Sequence, residues 1–257
     1  MKNDRFGFEW KKYNSIKPEY EQQYKDQFLN WTYPLASDFY KDKTILDAGC
    51  GMGRNSFWCL KWGAKELFAC DHDERSVEAT RETLKEFNNV RILEADLENL
   101  PWQEKFDFVF SIGVIHHTRN DKKSVGELYK ALKLNGEILL WVYSNVDFEN
   151  ILKILNPIRK NFTSKLPLPL LHFITYFVTV PFYVYLKLFK QKRDYFKQLK
   201  TFSFSHIHSI LFDQLLPPIA RYYTKKEAYD LLAANNFHNI KIYQPPNHNG
   251  WIIRGIK

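Results

Sequence analysis

Apolar and polar residues alternate with two different periods along the middle of the chain. Short apolar runs predict buried strands, and the segments between them carry apolar residues on one face only, as Val77, Leu84 and Phe87 do in 74–87. Such segments predict amphipathic helices. Because strands and helices alternate from residue 43 to residue 144, we expect a parallel sheet with right-handed crossovers and helices on both faces. The predicted strands are 43–48, 66–71, 90–96, 106–117 and 137–144.

Helix ends are marked by glycines and by one capping pattern. Gly63 and Gly136 are predicted to stop the helices that precede them. Thr224 and Glu227 have the spacing of a capping box, which predicts a helix start. Two further strand candidates, 240–244 and 251–257, follow that helix.

The alternation is interrupted between residues 146 and 221. We therefore predict an α/β fold with a doubly wound, mostly parallel seven-stranded sheet, helices on both faces, and a long, largely helical insertion before the last helix. The predicted organisation is an N-terminal helical lid (1–42), a core (43–145), an insertion that caps the substrate side (146–221), and a C-terminal completion of the sheet (222–257).

The stretch ILDAGCGMGRNS (45–56) places Gly49, Gly51 and Gly53 between the first strand and the first helix. Glycine has no Cβ to hold a ligand away, and it adopts positive φ without strain. Ligands of open α/β sheets bind beyond the carboxyl ends of the strands, where this turn lies. The turn therefore indicates a ligand site, but alone it is compatible with any nucleotide or with none.

Polar groups also end the next three predicted strands. Asp71 comes twenty-two residues after Gly49, where a carboxylate can accept from both hydroxyls of a ribose. Asp96 ends the third strand, where it could accept from the exocyclic amine of a purine. His116 and His117 end the fourth strand. Because these groups share one sheet edge, they favour a nucleotide-like cofactor over simple packing.

Five motifs in this order resemble those of class I, Rossmann-like S-adenosylmethionine-dependent methyltransferases: ILDAGCGMGRNS, ACDHDERSVEA, LEADLENLPW, FDFVFSIGVIHHT and ALKLNGEILLWVYS. They are most similar to the type-11 and small-molecule methyltransferases, a group that includes quinone-biosynthesis enzymes. The resemblance covers 43–144 closely and 224–257 loosely, and it does not cover the insertion. It implies S-adenosyl-L-methionine as the cofactor. A nicotinamide dehydrogenase is disfavoured, because the turn is G-C-G-M-G and no second nucleotide-binding half follows.

The resemblance implies which residues hold the methionine half of the cofactor. Asp47 would stand behind the turn as an acceptor for the amino group. Arg54 of the first helix and Trp10 of the lid are predicted to close over the cofactor or the acceptor. The residues whose backbone would face the methionine part are Ala48, Gly49, Cys50 and Gly51.

The nucleoside half is assigned in the same way. Asp71 would hold the ribose hydroxyls, and His72 would pack against the adenine. Asp96 and the backbone of Leu97 would bind the adenine edge. We expect no metal ion in this site.

Methyl transfer is an in-line displacement, so the enzyme must mainly align donor and acceptor and exclude water. Ile112 and Gly113 would line the side of the methyl donor. A base is needed only when the acceptor loses a proton. His116 and His117 are the candidates because they lie at the strand end nearest the expected methyl group. Tyr13 of the lid is predicted to close over the cofactor or the acceptor, and we group it with the catalytic residues.

The insertion carries most of the positive charge. Eleven Lys/Arg and four Asp/Glu lie between residues 146 and 221, which gives +7 of the chain's net +8. The uncharged run 166–186 is followed by a predicted basic stripe at helical spacing. One interpretation is a pair of lid helices kinked at Pro181, and the other is a segment lying on an anionic bilayer through 166–200. A spanning helix is disfavoured by the polar residues and prolines in the run. The stripe is Lys187, Lys190, Lys197 and Lys200, and its apolar neighbours are Leu186, Phe189, Phe196 and Leu199.

The acceptor has to be inferred from the insertion. We predict a methyltransferase that acts on a small-molecule or lipid-like acceptor, with O-, N- and C-methylation left open. Because no RNA-binding module is evident, we do not expect a nucleic-acid acceptor. An RNA methyltransferase that uses the basic insertion stays an alternative, and so does a non-catalytic cofactor-binding partner subunit.

The three cysteines form no C-x-x-C pair, and the first residues lack an apolar signal-peptide core. Both features indicate a reducing compartment, so the predicted location is the cytoplasm, with peripheral membrane association left open. The sequence predicts no oligomeric state.

Overall fold

The computed structural model describes residues 21–146, 149–192, 194–245 and 250–257. Its centre is one seven-stranded sheet with the strand order β3-β2-β1-β4-β5-β7-β6. β7 runs antiparallel to both of its neighbours, and the remaining pairings are parallel. The predicted fold is confirmed. The strands are β1 (Thr44–Ala48), β2 (Glu66–Asp71), β3 (Val90–Glu94), β4 (Phe106–Ile112), β5 (Leu132–Tyr143), β6 (His238–Tyr243) and β7 (Gly250–Ile256).

Helices cover both faces of the sheet. Val125 of α4 and Leu231 of α9 belong to the apolar core on one face, and Phe28 of α1 and Trp58 of α2 belong to the core on the other. The central strands are therefore buried on both sides, as their apolar sequences predict. The helices are α1 (Glu21–Trp31), α2 (Arg54–Lys61), α3 (Glu74–Thr83), α4 (Asp121–Ala131), α5 (Glu149–Asn161), α6 (Leu168–Leu188), α7 (Asp194–Thr201), α8 (Phe204–Leu215) and α9 (Lys225–Ala233).

The predicted helix ends are partly confirmed. Gly63 follows α2 with a φ of +86°, and Thr224 and Glu227 form the predicted capping box at the start of α9. The predicted stop at Gly136 is wrong. α4 ends at Ala131, and Leu132 already pairs with Phe106 of β4, so Gly136 lies inside β5.

Helices α5 to α8 lie between β5 and α9, within the range predicted for the insertion. α6 packs along α8: Thr179 Oγ1 lies 2.9 Å from His208 Nδ1, and His172 Nε2 lies 3.3 Å from His208 Nε2. The side chains between the two helices are therefore polar as well as apolar. α6 continues through Pro181 to Leu188 as one helix.

The predicted basic stripe at helical spacing, Lys187 to Lys200, does not lie on one helix. α6 ends at Leu188 and α7 begins at Asp194. The side chain of Gln191 stabilises this break, because its Nε2 donates to the carbonyls of Tyr185 (3.3 Å) and Phe189 (3.1 Å). The chain folds back, so the lysines of the predicted stripe lie on two helices and the connection between them.

One face of α6 is left uncovered. Phe173 and Phe177 are 60% and 70% exposed, and Val180, Val184 and Leu188 are exposed on the same helix. Within the described part of the chain, α6 is the one helix long and apolar enough to cross a membrane by length and composition. Helices in the cores of soluble proteins also pass that test, so it does not establish a span.

Candidate cofactor and acceptor site

The glycine turn has the backbone conformation that its sequence predicts. Gly49, Gly51 and Gly53 all have positive φ, at +89°, +57° and +80°. A Cβ on Gly49 would lie 2.4 Å from a methyl group of Val114, a distance no side chain can adopt. Other residue types are therefore excluded at this position by both conformation and space.

Asp71 joins this turn to the end of β2. Its Oδ2 accepts from the backbone N–H of Gly51 (3.0 Å), and its Oδ1 accepts from that of Asp73 (3.1 Å). Each carboxylate oxygen has a second lone pair, so the fixed carboxylate can still accept from two hydroxyls of a ligand. The exposed ring of His72 lies beside it, with Nδ1 3.4 Å from Oδ1.

Asp47 lies behind the turn and is 1% exposed. Its Oδ2 accepts from Ser56 Oγ at 2.6 Å. Burial raises the pKa of Asp47 to about 7, mainly because the ionised form loses hydration, and the charge of Asp71 adds to the rise. A buried carboxyl with this pKa gains or loses its charge near neutral pH.

The remaining predicted cofactor residues lie at the ends of β3 and β4. Asp96 is exposed, and its Oδ1 accepts from the backbone N–H of Glu98 (2.9 Å). Leu97 is buried against the core on the α4 side. At the end of β4, Ile112 is buried and Gly113 has a φ of +78°. A Cβ on Gly113 would meet its nearest neighbour only at 3.9 Å, so there is room here for an approaching ligand.

His116 lies in the short 3-10 turn after β4 and is fully buried. Its ring packs against the ring of Tyr143, with 3.9 Å between centroids. Within the described residues, neither ring nitrogen has a hydrogen-bond partner. Buried polar atoms are rarely left unpaired, so this ring fits a site that a ligand completes. Burial also holds the pKa of His116 well below its usual range, so the imidazole is neutral.

His117 is held differently. Its Nδ1 donates to the carbonyl of Ile219 at 2.7 Å, which fixes the tautomer. Burial lowers the pKa of His117 to about 4, and the nearby charges of Arg159 and Arg221 contribute to the lowering. Both predicted bases are therefore neutral at pH 7 and bind protons weakly.

Arg54 begins α2, directly after the turn. Its guanidinium lies over the rings of Tyr24 (5.7 Å) and Trp31 (5.2 Å) of α1. The other two residues predicted to close over the site, Trp10 and Tyr13, lie outside the described residues.

A polar network at the end of β5 was missed by the sequence reasoning. Tyr143 donates its hydroxyl to Asp213 of α8 at 3.3 Å and accepts from Gln214 Nε2 at 3.0 Å. Tyr222 donates to Gln214 Oε1 at 3.1 Å and accepts from Arg159 of α5 at 3.3 Å. Three of these residues lie in the insertion, which has no recognisable motif. The sequence marked this region only by the interruption of the alternating strands and helices.

Residues 45–136 match the family model described as a methyltransferase domain. These residues, fewer than half of the chain, therefore form a methyltransferase domain. The fold agrees with solved structures: magnesium protoporphyrin IX methyltransferase from Synechocystis PCC 6803 with bound SAH (TM-score 0.54, 15% identity, 93% of this chain and 83% of that one) and human N-acetylserotonin methyltransferase with SAM (TM-score 0.55, 13% identity, 92% and 53%). The predicted cofactor, S-adenosyl-L-methionine, and the predicted enzyme class are confirmed for this domain. The glycine turn, the Asp71 carboxylate and the unpaired His116 ring fit that cofactor.

Among curated proteins, this methyltransferase domain is similar to enzymes named tRNA U34 carboxymethyltransferase. The protein from Vibrio cholerae is 33% identical over 129 residues, which cover 49% of this chain and 38% of that protein. The protein from Shewanella oneidensis is 33% identical over 103 residues, covering 39% and 31%. The matched part therefore spans less than half of either relative.

These relatives correct the predicted acceptor. The expectation of a small-molecule or lipid-like acceptor is wrong, and so is the expectation that nucleic acid is not a partner, because the similar curated proteins are named for acting on tRNA.

Proposed function

We propose that this chain is an RNA methyltransferase that transfers a methyl group from S-adenosylmethionine to a nucleotide of RNA, with tRNA as the first candidate. The observation that carries the proposal is the 33% identity to enzymes named for modifying tRNA. The basic insertion gives a second, independent argument, because phosphate groups are bound through Lys and Arg.

Exposed aromatic rings are interleaved with the lysines of the insertion. Phe162 lies between the exposed residues Lys160 and Lys165. Phe189 is followed by the exposed Lys190 and by Lys192. Proteins that bind single-stranded nucleic acid combine a basic surface with rings on which bases stack, each stack contributing about 1–3 kcal/mol. The insertion has both components, which supports an unpaired RNA segment as its ligand.

The cofactor roles belong to the same proposal. Asp71 would accept from the ribose hydroxyls, Asp96 and Leu97 would contact the adenine edge, and His72 would pack against the ring. The backbone from Ala48 to Gly51 would face the methionine part, with Asp47 near its amino group. Ile112 and Gly113 would line the methyl donor, and Arg54 would cover the site from α2.

The domain organisation is proposed as 1–42, 43–145, 146–221 and 222–257, with the third segment binding the acceptor. We place the protein in the cytoplasm, where RNA substrates are present. All three cysteines are free and buried, which agrees with a reducing compartment.

The bound cofactor supplies a methyl group on a sulfonium, which is already activated for displacement. The protein's task is then alignment and exclusion of water, effects worth up to about 7–11 kcal/mol. The insertion helices are positioned for this task, because Asp213 and Gln214 of α8 contact Tyr143 at the end of β5. A nucleotide enclosed there would be held against the ends of β4 and β5.

The test is an acceptor screen with labelled S-adenosylmethionine. Purified protein is incubated with total tRNA, ribosomal RNA, a lipid extract and a metabolite extract, and the RNA is then digested to nucleosides. We expect label in one nucleoside of tRNA, and the mass of that nucleoside should be increased by one methyl group. Asp71→Ala is expected to abolish labelling by weakening cofactor binding, and exposed Glu78→Ala on α3 is the matched control. Label in lipid or metabolites but not in RNA would refute the proposal.

A further inference from the structure

The insertion brings one carboxylate to the edge of the sheet where the methyl donor is expected. Asp213, on α8, accepts a hydrogen bond from the hydroxyl of Tyr143 at the end of β5 (3.3 Å). The ring of Tyr143 lies against His116, which follows β4 and whose two ring nitrogens have no hydrogen-bond partner among the residues that the structure describes. Asp213 thus belongs to the cluster of polar side chains beyond β4 and β5.

Charged side chains of both the core and the insertion act on Asp213. Two positive charges act on it: Arg54, the first residue after the glycine turn, and Arg159 of α5. Tyr195 of α7 and Tyr222 are the other titratable groups that interact with it. Its neighbours therefore come from the cofactor-binding core on one side and from the insertion on the other, which is where donor and acceptor have to meet.

The proton affinity of Asp213 suits a base at neutral pH. Burial raises its pKa to about 6, and the hydrogen bond from Tyr143 and the charges of Arg54 and Arg159 limit the rise. The carboxyl is mostly ionised at pH 7 and still binds a proton more tightly than an exposed aspartate. A general base works best when its pKa lies near the operating pH.

The two histidines are less suited to that task. Burial lowers the pKa of His117 to about 4, although the hydrogen bond from its Nδ1–H to the Ile219 carbonyl opposes the lowering. The pKa of His116 lies well below its usual range as well. Their neutral rings can shape the pocket and accept or donate hydrogen bonds, but their affinity for an extra proton is lower than that of Asp213.

We propose that Asp213 is the catalytic base that takes the proton from the oxygen or nitrogen atom of the RNA that becomes methylated. The proposal rests on the RNA methyltransferase function above. The acceptor atom forms a bond to the methyl carbon as the bond from that carbon to sulfur breaks, with its electron pair passing to the sulfur. The acceptor's proton moves to a carboxylate oxygen of Asp213 and then to solvent. Tyr143 is a positioning residue, because its hydroxyl orients the carboxylate.

The experiment compares the wild type with Asp213→Asn on the methylated RNA. Asn keeps the size of the side chain and can accept the Tyr143 hydrogen bond, but it cannot take a proton. We expect kcat to fall about 100-fold or more, the range typical of a lost general base, with KM for RNA and cofactor affinity by calorimetry unchanged. In the wild type, log kcat should rise with pH up to about 6 and then level off, and this inflection should be absent in D213N. Exposed Asp38→Asn is the matched control.

A readout without turnover comes from urea unfolding of the free protein. Because the pKa of Asp213 is raised in the folded state, wild-type stability should fall as pH rises from about 4 to about 6 and be constant above, as far as this group contributes. The stability of D213N should not show the part of this decrease that comes from Asp213. If D213N does not fold, Tyr143→Phe serves instead: losing its hydrogen bond to the carboxylate should move the kcat inflection to higher pH.

The outcomes separate the two proposals. If the wild type methylates RNA and the kcat of D213N is within threefold of the wild-type value, Asp213 is not the base, but the proposed RNA methyltransferase function still holds. An inflection that persists in D213N has the same consequence. Failure of the wild type to methylate any RNA refutes the proposed function and this inference together.

Discussion

At the scale of single residues, the site combines fixed and titratable groups. The glycine turn and Asp71 are held by backbone hydrogen bonds, whereas Asp47 is a buried acid whose pKa is raised to about 7. A buried acid without a counter-charge destabilises the folded protein when it ionises. A bound amino group would supply that counter-charge, so Asp47 should link cofactor binding to pH.

Asp47→Asn tests this link. The folded-state pKa of Asp47 lies above its unfolded value, so its contribution to stability is largest below about pH 4 and falls as pH rises to about 7. The variant stays neutral and should therefore be more stable than the wild type at pH 8, by up to about 4 kcal/mol, and nearly equal to it at pH 4. Urea unfolding at both pH values measures the difference. If the variant differed from the wild type in stability by the same amount at pH 4 and at pH 8, the assigned pKa of Asp47 would be contradicted. Asp38→Asn, at an exposed position, is the control.

Residue chemistry was predictable where a motif fixed it. The positive φ values of the glycines follow from a tight turn between a strand and a helix, and the place of Asp71 follows from the parallel pairing of β2 with β1, which brings both strand ends to one edge. Asp213 was not predictable. It lies 70 residues after Tyr143, and only the packing of α8 against β5 brings the two together. Its neighbours in the sequence give no sign of this contact.

At the scale of secondary-structure elements, periodicity predicted the positions of the strands better than the ends of strands and helices: β4 ends at Ile112 and not at 117, and β5 begins at Leu132 and not at 137. Burial sets the strand pattern, so the apolar runs mark β1 and β2 to within one residue. Helix ends depend on single hydrogen bonds. Gln191 stabilises the end of α6 through two carbonyls, and no hydrophobic period encodes such a contact. For this reason the lysines of the predicted basic stripe lie on two helices and their connection, not on one helix.

The uncovered face of α6 offers an element-scale test. Phe173→Ala and Phe177→Ala each remove an exposed ring that could stack on a base. We expect each to weaken tRNA binding by about 1–3 kcal/mol in fluorescence anisotropy, with cofactor affinity unchanged. Val180→Ala and Val184→Ala lie on the same face and remove apolar area without a ring, so they should have little effect. Equal losses from the valine and phenylalanine variants would mean that the face acts through apolar burial, not stacking.

At the scale of the whole molecule, charge is divided between two functions. The net charge is +8, and +7 of it lies in 146–221, so the methyltransferase core and the rest of the chain are nearly neutral. A neutral core suits a small, enclosed cofactor, whereas a basic insertion attracts a polyanion over longer distances. The sequence showed this division but not its partner, because lipids and RNA both attract lysines. The exposed rings and the tRNA-modifying relatives favour RNA.

This division predicts how salt affects RNA binding. Each phosphate contact on a single strand contributes about −0.7 to the slope of log K against log salt concentration. Replacing four exposed insertion lysines by Gln should therefore make the slope shallower by up to about 3, while calorimetry shows the same affinity for S-adenosylmethionine. Four exposed lysines outside the insertion give a control of equal charge change, which should leave the slope as it is. If the insertion variant and the control variant make the slope shallower by the same amount, the attraction arises from net charge alone and the insertion is not the RNA-binding surface. The insertion set is Lys160, Lys165, Lys190 and Lys192, and the control set is Lys41, Lys65, Lys85 and Lys130.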